Sequence, residues 1–119
     1  DLRGVAFRAA RFRPAFGKLA GEVCAGIEIH VTDRALVRPV ALGLELLRTI
    51  SELDPERFRW RAEAYEFVSD VPAIDLLTGS PEARAVIEGR AALEDLLVSW
   101  EHSVEGFEAG LEGILLHHA

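Results

Sequence analysis

The sequence has few of the residues that cross-link a protein or that bind metals and nucleic acids. It contains one cysteine and no methionine in 119 residues, and the single thiol of Cys24 excludes an internal disulfide. Acidic residues outnumber basic ones by 20 to 13, and the formal charge of −7 argues against a nucleic-acid partner, because phosphate binding needs a basic patch. No apolar run is long enough to cross a membrane, so we expect no membrane partner.

Motifs for metals and phosphates are also missing. His102 stands alone, His117 and His118 lie at the tail, and no histidine and cysteine show zinc-like spacing. A glycine-rich phosphate loop is absent too, so we expect neither a metal nor another cofactor. Half of the residues are hydrophobic and 28% are charged, which is ordinary for a soluble fold with one core. We predict a single domain over residues 1–119.

Hydrophobic spacing predicts two strands and then helices. Residues 4–12 and 25–32 alternate in polarity with the period of two that is typical of strands. Pro39 suits the first turn of a helix, and Asp54-Pro55 would stop it, which predicts a helix over residues 39–53. The long final helix follows from the helical spacing of apolar residues, and we expect Trp100 and Phe107 on this stripe to be core residues. The spaced residues are Leu93, Leu96, Leu97, Trp100, Val104, Phe107 and Leu111.

Two shorter features lie between these helices. Residues 74–77 suggest a compact turn in which Asp75 has a turn or cap role. Ser80 and Pro81 predict the cap and first turn of a short helix that Gly89 closes. Together the elements predict an α+β fold, a small β-sheet covered by two or three helices, with a long C-terminal helix.

The second predicted strand and the residues after it carry the most informative polar groups. One of its faces is apolar, and the other presents Glu28, His30 and Thr32. Asp33 and Arg34 follow at the carboxyl end of the strand, where sheets with helical crossovers usually bind ligands.

Each of these groups has a functional and a structural interpretation. His30 with a nearby carboxylate suits a sugar hydroxyl or a proton transfer, and Arg34 suits a two-pronged contact with a carboxylate. Lys18 lies in a loop bounded by glycine and proline, which is able to fold over a ligand. In the structural interpretation, Asp33 would cap the turn into the helix and Arg34 would pair with Asp33. His30 would be a histidine whose hydrogen bonds are satisfied within the fold, and Lys18 would be an ordinary surface lysine. The residues alone favour the structural interpretation.

Sequence motifs in a consistent order connect the chain to a known family. It resembles the carboxyl-terminal domain of the bacterial exo-β-N-acetylmuramidase (NamZ-like) family, formerly a domain of unknown function. Departures from the family are Gly17 in place of Ser, Glu28 where Gln is common, and the ending His117-His118-Ala119 in place of a Leu-Leu-Tyr-like end. The resemblance rests on these segments: residues 4–8, 12–18, 21–24, 29–34, 38–40, 43–44, 58–61 and 72–79, with Pro55, Trp100 and Phe107.

The resemblance implies a role within a larger enzyme. Family members trim peptidoglycan fragments and carry an N-terminal Rossmann-like domain, which is absent here, so we expect a carboxyl-terminal fragment of a two-domain parent. We expect this fragment to complete the substrate cleft, to support the catalytic domain and to be inactive alone. Its expected partners are a muramyl sugar and the missing N-terminal domain, and we expect the parent to be exported or periplasmic. The residues expected to bind the sugar are His30, Asp33, Arg34 and Lys18.

The catalytic residues are not identified by the sequence. Glycoside hydrolysis usually needs two carboxylates, and no spacing selects a pair among Glu22, Glu28, Asp33 and Asp75. We therefore expect the essential acid in the absent domain.

Two other functions stay open at this point. The first is a stand-alone carbohydrate- or protein-binding module, in which Trp60, Tyr65 or Phe67 would stack on a sugar ring; the alternative place for these aromatics is the core. The second is a dimerisation domain that uses Val98 or Leu111 on the last helix.

Overall fold

The computed structural model describes residues 2–111 and residue 114, and it divides the chain into two compact units, Asp1–Leu42 and Gly43–Ala119. The described part contains two strands and four helices, which confirms the predicted α+β class and the long final helix. In chain order the elements are β1 (Val5–Phe12), β2 (Cys24–Val31), α1 (Pro39–Leu53), α2 (Ala73–Thr78), α3 (Glu82–Ile87) and α4 (Leu93–Gly110).

The first unit is built around an antiparallel hairpin of β1 and β2. The strands pair without interruption from Val5 opposite Val31 to Phe12 opposite Cys24. Both strands agree with their predicted bounds to within one residue, because alternating polarity identifies a half-exposed strand directly. The register places apolar side chains on one face, and on the other Arg8, Glu28 and His30.

Helix α1 also agrees with its prediction. It begins at Pro39, and its first bond runs from the Leu42 N–H to the Arg38 carbonyl at 2.9 Å. Its last turn is closed by the Asp54 N–H, which donates to the Ile50 carbonyl at 3.2 Å. The following Pro55 disfavours the helical conformation at Asp54, so the helix ends there.

The second unit contains a small apolar core. Its centre is α3, because Ala83, Val86 and Ile87 on that helix are at most 1% exposed. The remaining buried members come from α1 and α4, and half-buried hydrophobic side chains pack around them. The buried set is Leu44, Ala83, Val86, Ile87, Leu93 and Leu96, and the surrounding set is Leu47, Phe58, Trp60, Ile74, Leu97 and Trp100.

Residues 74–77 lie in a helix, where the sequence predicted only a compact turn. They belong to α2, which ends at Gly79 in the left-handed conformation with φ 79°. Asp75 is buried on this helix at 7% exposure and accepts two hydrogen bonds from Arg84 of α3, at 2.8 Å from Nε and 2.9 Å from Nη2. Asp75 therefore joins two helices rather than capping a turn, because the paired guanidinium compensates the burial of its charge.

The ends of α3 confirm one prediction and correct another. Pro81, not Ser80, occupies the N-cap position, and no side chain there makes a capping hydrogen bond. Gly89 closes the helix as predicted, with φ 70°, and the Arg90 N–H donates to the Ala85 carbonyl at 2.8 Å. Such a closure needs a residue with positive φ, which glycine adopts without strain.

The last helix is longer than the core that it packs against. Its first half supplies Leu93 and Leu96 to the core, and Trp100 is half-buried beside them. Phe107 was predicted to be a core residue, and this was wrong, since it is 68% exposed; Val104 on the same stripe is 54% exposed. The apolar spacing correctly predicts the helix, but spacing does not say where the partner surface ends. His117 and His118 lie outside the described residues.

Candidate functional site

The polar face of the hairpin forms a small charged cluster. Arg8 stands directly opposite Glu28, and its guanidinium contacts the Glu28 carboxylate through Nη2 and through Nε, the latter at 3.2 Å. The Nε2 atom of His30 lies 3.6 Å from the other carboxylate oxygen of Glu28. The Glu28 carboxylate thus sits between a guanidinium and an imidazole. All three side chains are largely solvent-accessible, so salt screens their mutual attraction.

Asp33 organises the turn that follows β2. Its Oδ1 atom accepts a hydrogen bond from the Ala35 N–H at 2.9 Å, and its carbonyl accepts one from Leu36 at 3.3 Å. A carboxylate that bonds the backbone two residues ahead is typical of an Asx turn. This geometry matches the structural interpretation of Asp33 as the cap of the turn.

Gly4 holds this turn against the start of β1. The N–H groups of Thr32 and Asp33 both donate to the Gly4 carbonyl, at 2.8 and 3.2 Å. Gly4 has φ 81°, and a Cβ atom there would lie only 2.6 Å from the Asp33 carbonyl oxygen. Both the conformation and the close approach exclude other residues. The turn that carries the candidate residues is therefore fixed by glycine at position 4.

Arg34 extends from this turn without the partner that was predicted for it. Within residues 2–111 and 114 it forms no ion pair, and its structural pairing with Asp33 is not formed. Asp33 uses Oδ1 for the backbone instead. The Arg34 side chain is exposed, so its guanidinium is accessible to an external anion.

Lys18 lies at the opposite end of the hairpin from the other candidates. It is exposed in the loop of residues 13–23, in which the Gly21 N–H donates to the Pro14 carbonyl at 2.9 Å. His30 is six residue steps along β2 from Cys24 at the loop end, and a strand rises about 3.4 Å per residue, so the two ends are about 20 Å apart. The fold brings His30, Asp33 and Arg34 to one end and leaves Lys18 at the other.

Arg8 is a member of the cluster that the sequence analysis did not select. It also lines a groove of about 600 Å³ along β1, together with Arg11, Phe12, Ile27 and Glu28. Alternation alone places Arg8 on one face of its strand, but pairing with Glu28 depends on the register. An 11-residue connection between the strands does not fix that register in the sequence, so the pair was not predictable.

The aromatic residues that were considered as a sugar platform have different environments. Trp60 is half-buried, its ring meets Phe58 edge to face at 5.0 Å, and its Nε1 donates to Glu88 at 2.8 Å. These contacts agree with the alternative in which Trp60 packs in the core and does not form a sugar platform. Tyr65 is half-buried beside a small turn, and Phe67 is fully exposed. Trp60 and Tyr65 line a small apolar cavity of about 270 Å³.

Glu88 is held in its charged form by its neighbours in the second unit. Arg90 donates to Glu88 Oε2 through Nε at 2.9 Å and through Nη2. The hydrogen bond from Arg90 lowers the pKa of Glu88, and the Trp60 N–H and Arg84 act in the same direction. These contacts stabilise the second unit and do not leave Glu88 available as a proton donor.

Three of the four carboxylates that were considered for catalysis are engaged by other groups. Glu28 is paired with Arg8, Asp33 is engaged by the turn backbone, and Asp75 is engaged by Arg84. Glu22 is exposed in the hairpin loop. Residues 2–111 and 114 contain no group of three or more histidine, cysteine, aspartate or glutamate side chains able to hold a metal ion. Over the same residues, no helix combines the length and apolarity needed to traverse a bilayer.

Comparison with known proteins places the chain in a family of cell-wall glycosidases. The family model described as exo-beta-N-acetylmuramidase NamZ, C-terminal, matches residues 1–117, and the chain belongs to this family. The peptidoglycan beta-N-acetylmuramidase NamZ of Bacillus subtilis (strain 168) is 35% identical over 116 residues, which is 98% of this chain. The chain spans 26% of the length of that relative. No solved structure matches the chain.

Proposed function

We propose that the chain acts as the carboxyl-terminal accessory part of a peptidoglycan β-N-acetylmuramidase, where it completes the substrate cleft and supports the catalytic domain. The observation that carries this proposal is the family match over residues 1–117, with a relative of stated activity aligned over 98% of the chain. The rest of the enzyme would be the N-terminal domain of the same polypeptide. Because peptidoglycan lies outside the cytoplasmic membrane, the proposal includes an exported or periplasmic parent.

The proposed sugar contacts are at the end of the hairpin where β2 finishes. A muramyl sugar carries a lactyl carboxylate, which suits the exposed guanidinium of Arg34. His30 is half-exposed next to Glu28 and is able to hold a hydroxyl. Asp33 keeps these two side chains in place through its turn. Lys18 lies about 20 Å away along the hairpin, at about 3.4 Å per residue, so it would contact only a more distant part of a larger substrate.

The chain alone is proposed to be inactive. Three of its four candidate carboxylates already bind an arginine or the backbone, and a retaining or inverting glycosidase needs two carboxyl groups facing the scissile bond. In this proposal the essential acid comes from the N-terminal domain.

Two histidines on different units provide a matched test in the full-length enzyme. His30→Ala should lower kcat/KM for a chromogenic N-acetylmuramide about 10-fold or more, which corresponds to about 1.4 kcal/mol of lost transition-state stabilisation. His102→Ala removes an exposed imidazole from α4 and should leave kcat/KM unchanged. Equal activity of the two variants would remove His30 from the sugar site.

A titration of the isolated chain separates an accessory role from independent binding. N-acetylmuramic acid should cause no saturable NMR shifts at residues 30–34 when the N-terminal domain is absent, if both parts are needed for the site. Saturable shifts confined to these residues would instead identify a module that binds the sugar by itself.

A further inference from the structure

The hairpin has an apolar face whose side chains remain open to solvent. The register places the side chains of Phe7, Ile27, Ile29 and Val31 on the same side of the sheet, and they are 42%, 55%, 39% and 55% exposed. None of the side chains in residues 2–42 is buried, whereas the second unit has a buried core. Among the described residues of the first unit, nothing buries this apolar surface.

A two-stranded sheet with such a face is not a complete structure. Isolated hairpins are marginally stable in water, and an amphipathic sheet normally packs its apolar face against another layer. The opposite face carries Arg8, Glu28 and His30, whereas the only charged residue on the apolar face of the two strands is Arg11 at its end. Contiguous exposed apolar surface rimmed by polar groups marks an interaction site.

We infer that this apolar face, defined by Phe7, Ile27, Ile29 and Val31, is the docking surface for the N-terminal domain of the same polypeptide. The inference rests on the proposed function, in which the chain is the carboxyl-terminal part of a longer enzyme. The chain corresponds to 26% of its Bacillus subtilis relative, and the matching family model is the C-terminal one, so most of such an enzyme precedes β1.

The connection between the two parts favours this occupant over a second copy of the chain. β1 is the first described element, and a domain that precedes it would belong to the same polypeptide. A covalent connection makes docking of such a domain intramolecular, which favours it over a free second molecule. Docking on the apolar face leaves the polar face with His30 accessible.

Two phenylalanines on β1 allow a matched photo-cross-linking test. Phe7 is on the apolar face, and Phe12 is on the polar face at 55% exposure. In the full-length enzyme, each is replaced separately by the photoreactive amino acid p-benzoylphenylalanine. We expect the probe at position 7 to cross-link to a peptide of the N-terminal domain, with at least a fivefold higher yield than the probe at position 12.

Each other product would overturn the inference. A cross-link from position 7 to residues 43–119 would mean that the chain covers its own face, and a dimer-sized product would mean that a second copy covers it. Equal yields from both positions, or reaction with solvent only, would mean that the face is not docked.

Unfolding and activity measurements separate this inference from the proposed function. In the full-length enzyme, Phe7→Thr should lower the thermal midpoint of the first unit more than Phe12→Thr does, by at least twofold in the size of the shift. Hydrolysis of the N-acetylmuramide by the unmodified enzyme tests the proposed function independently. Activity without the cross-link would reject only the docking surface, and the cross-link without activity would reject only the proposed chemistry.

Discussion

The two units of the chain use the same kinds of residues in different ways. In the second unit, Val86 and Ile87 are at most 1% exposed in a closed apolar cluster, and the buried carboxylate of Asp75 is matched by Arg84. In the first unit, Ile27 and Val31 are both 55% exposed, and the ion pair of Arg8 with Glu28 is on the surface.

The difference indicates which unit holds its own structure. Burial of apolar side chains is the main favourable term in folding, and only the second unit achieves it within the described residues. The first unit carries the candidate sugar residues on a hairpin whose apolar face is exposed.

The largest expected contrast comes from the same substitution in each unit. Ile87→Ala should destabilise the isolated chain by about 2–5 kcal/mol, because it leaves a cavity at a side chain that is 1% exposed. Ile27→Ala removes a side chain that is 55% exposed and should cost less than about 1 kcal/mol. Urea denaturation measures both. Similar losses in the free energy of unfolding of the two variants would contradict the difference between the two units.

The ion pair between α2 and α3 should have the next largest effect. Asp75→Ala removes two charge-assisted hydrogen bonds from a buried position, so we expect a loss of about 1.5–3 kcal/mol. Asp70→Ala, at an exposed position in the preceding loop, is the control and should change stability by less than about 0.5 kcal/mol. Equal losses in thermal unfolding would show that the buried pair does not stabilise the second unit.

Glu88 should give the second unit a pH dependence. Its pKa is lowered mainly by the hydrogen bond from Arg90, so the folded state binds fewer protons than the unfolded state around that pKa. The stabilisation is therefore present above the unfolded value of about 4.3 and is lost as the pH falls through the folded pKa.

Glu88→Gln tests this dependence because it keeps an acceptor for the Trp60 N–H. The variant should be less stable than the original chain at pH 7 by about 0.5–1 kcal/mol, and the difference should shrink at pH 3. Urea denaturation at the two pH values measures it. A difference that is unchanged between them would contradict the role of the Glu88 charge.

The smallest effect is expected at the far end of α4. Phe107 is 68% exposed, so Phe107→Ala should change the stability of the isolated chain by less than about 0.5 kcal/mol. Trp100→Ala, on the same helix but packed against the core, should cost about 3 kcal/mol. A large loss of stability of the Phe107→Ala variant in thermal unfolding would indicate that this end of the helix packs against a partner surface.

The sequence was sufficient for features that depend on local pattern. Alternation identified both strands, Pro39 and Asp54-Pro55 bounded α1, and the helical stripe identified α4. Family motifs over nearly the whole chain identified the family, which the comparisons then confirmed.

Features that depend on contacts between elements were not predictable. The burial of Asp75 depends on Arg84 nine residues later, and the exposure of Phe107 depends on where the core ends. At the site, the sequence selected His30 but not Arg8, which pairs with Glu28 beside His30 only through the hairpin register. The roles of His30, Asp33, Arg34 and Lys18 in sugar binding stay predictions.

Hydrogen exchange of the isolated 119-residue chain, followed by mass spectrometry, tests the central contrast most directly. If the second unit alone holds a core, the amides of α3 and the first half of α4 should exchange at least 10-fold more slowly than those of β1 and β2. Addition of the N-terminal domain should then slow the exchange of the hairpin amides only. Equal protection of hairpin and helices in the isolated chain would contradict the account, because the first unit would then need no further layer.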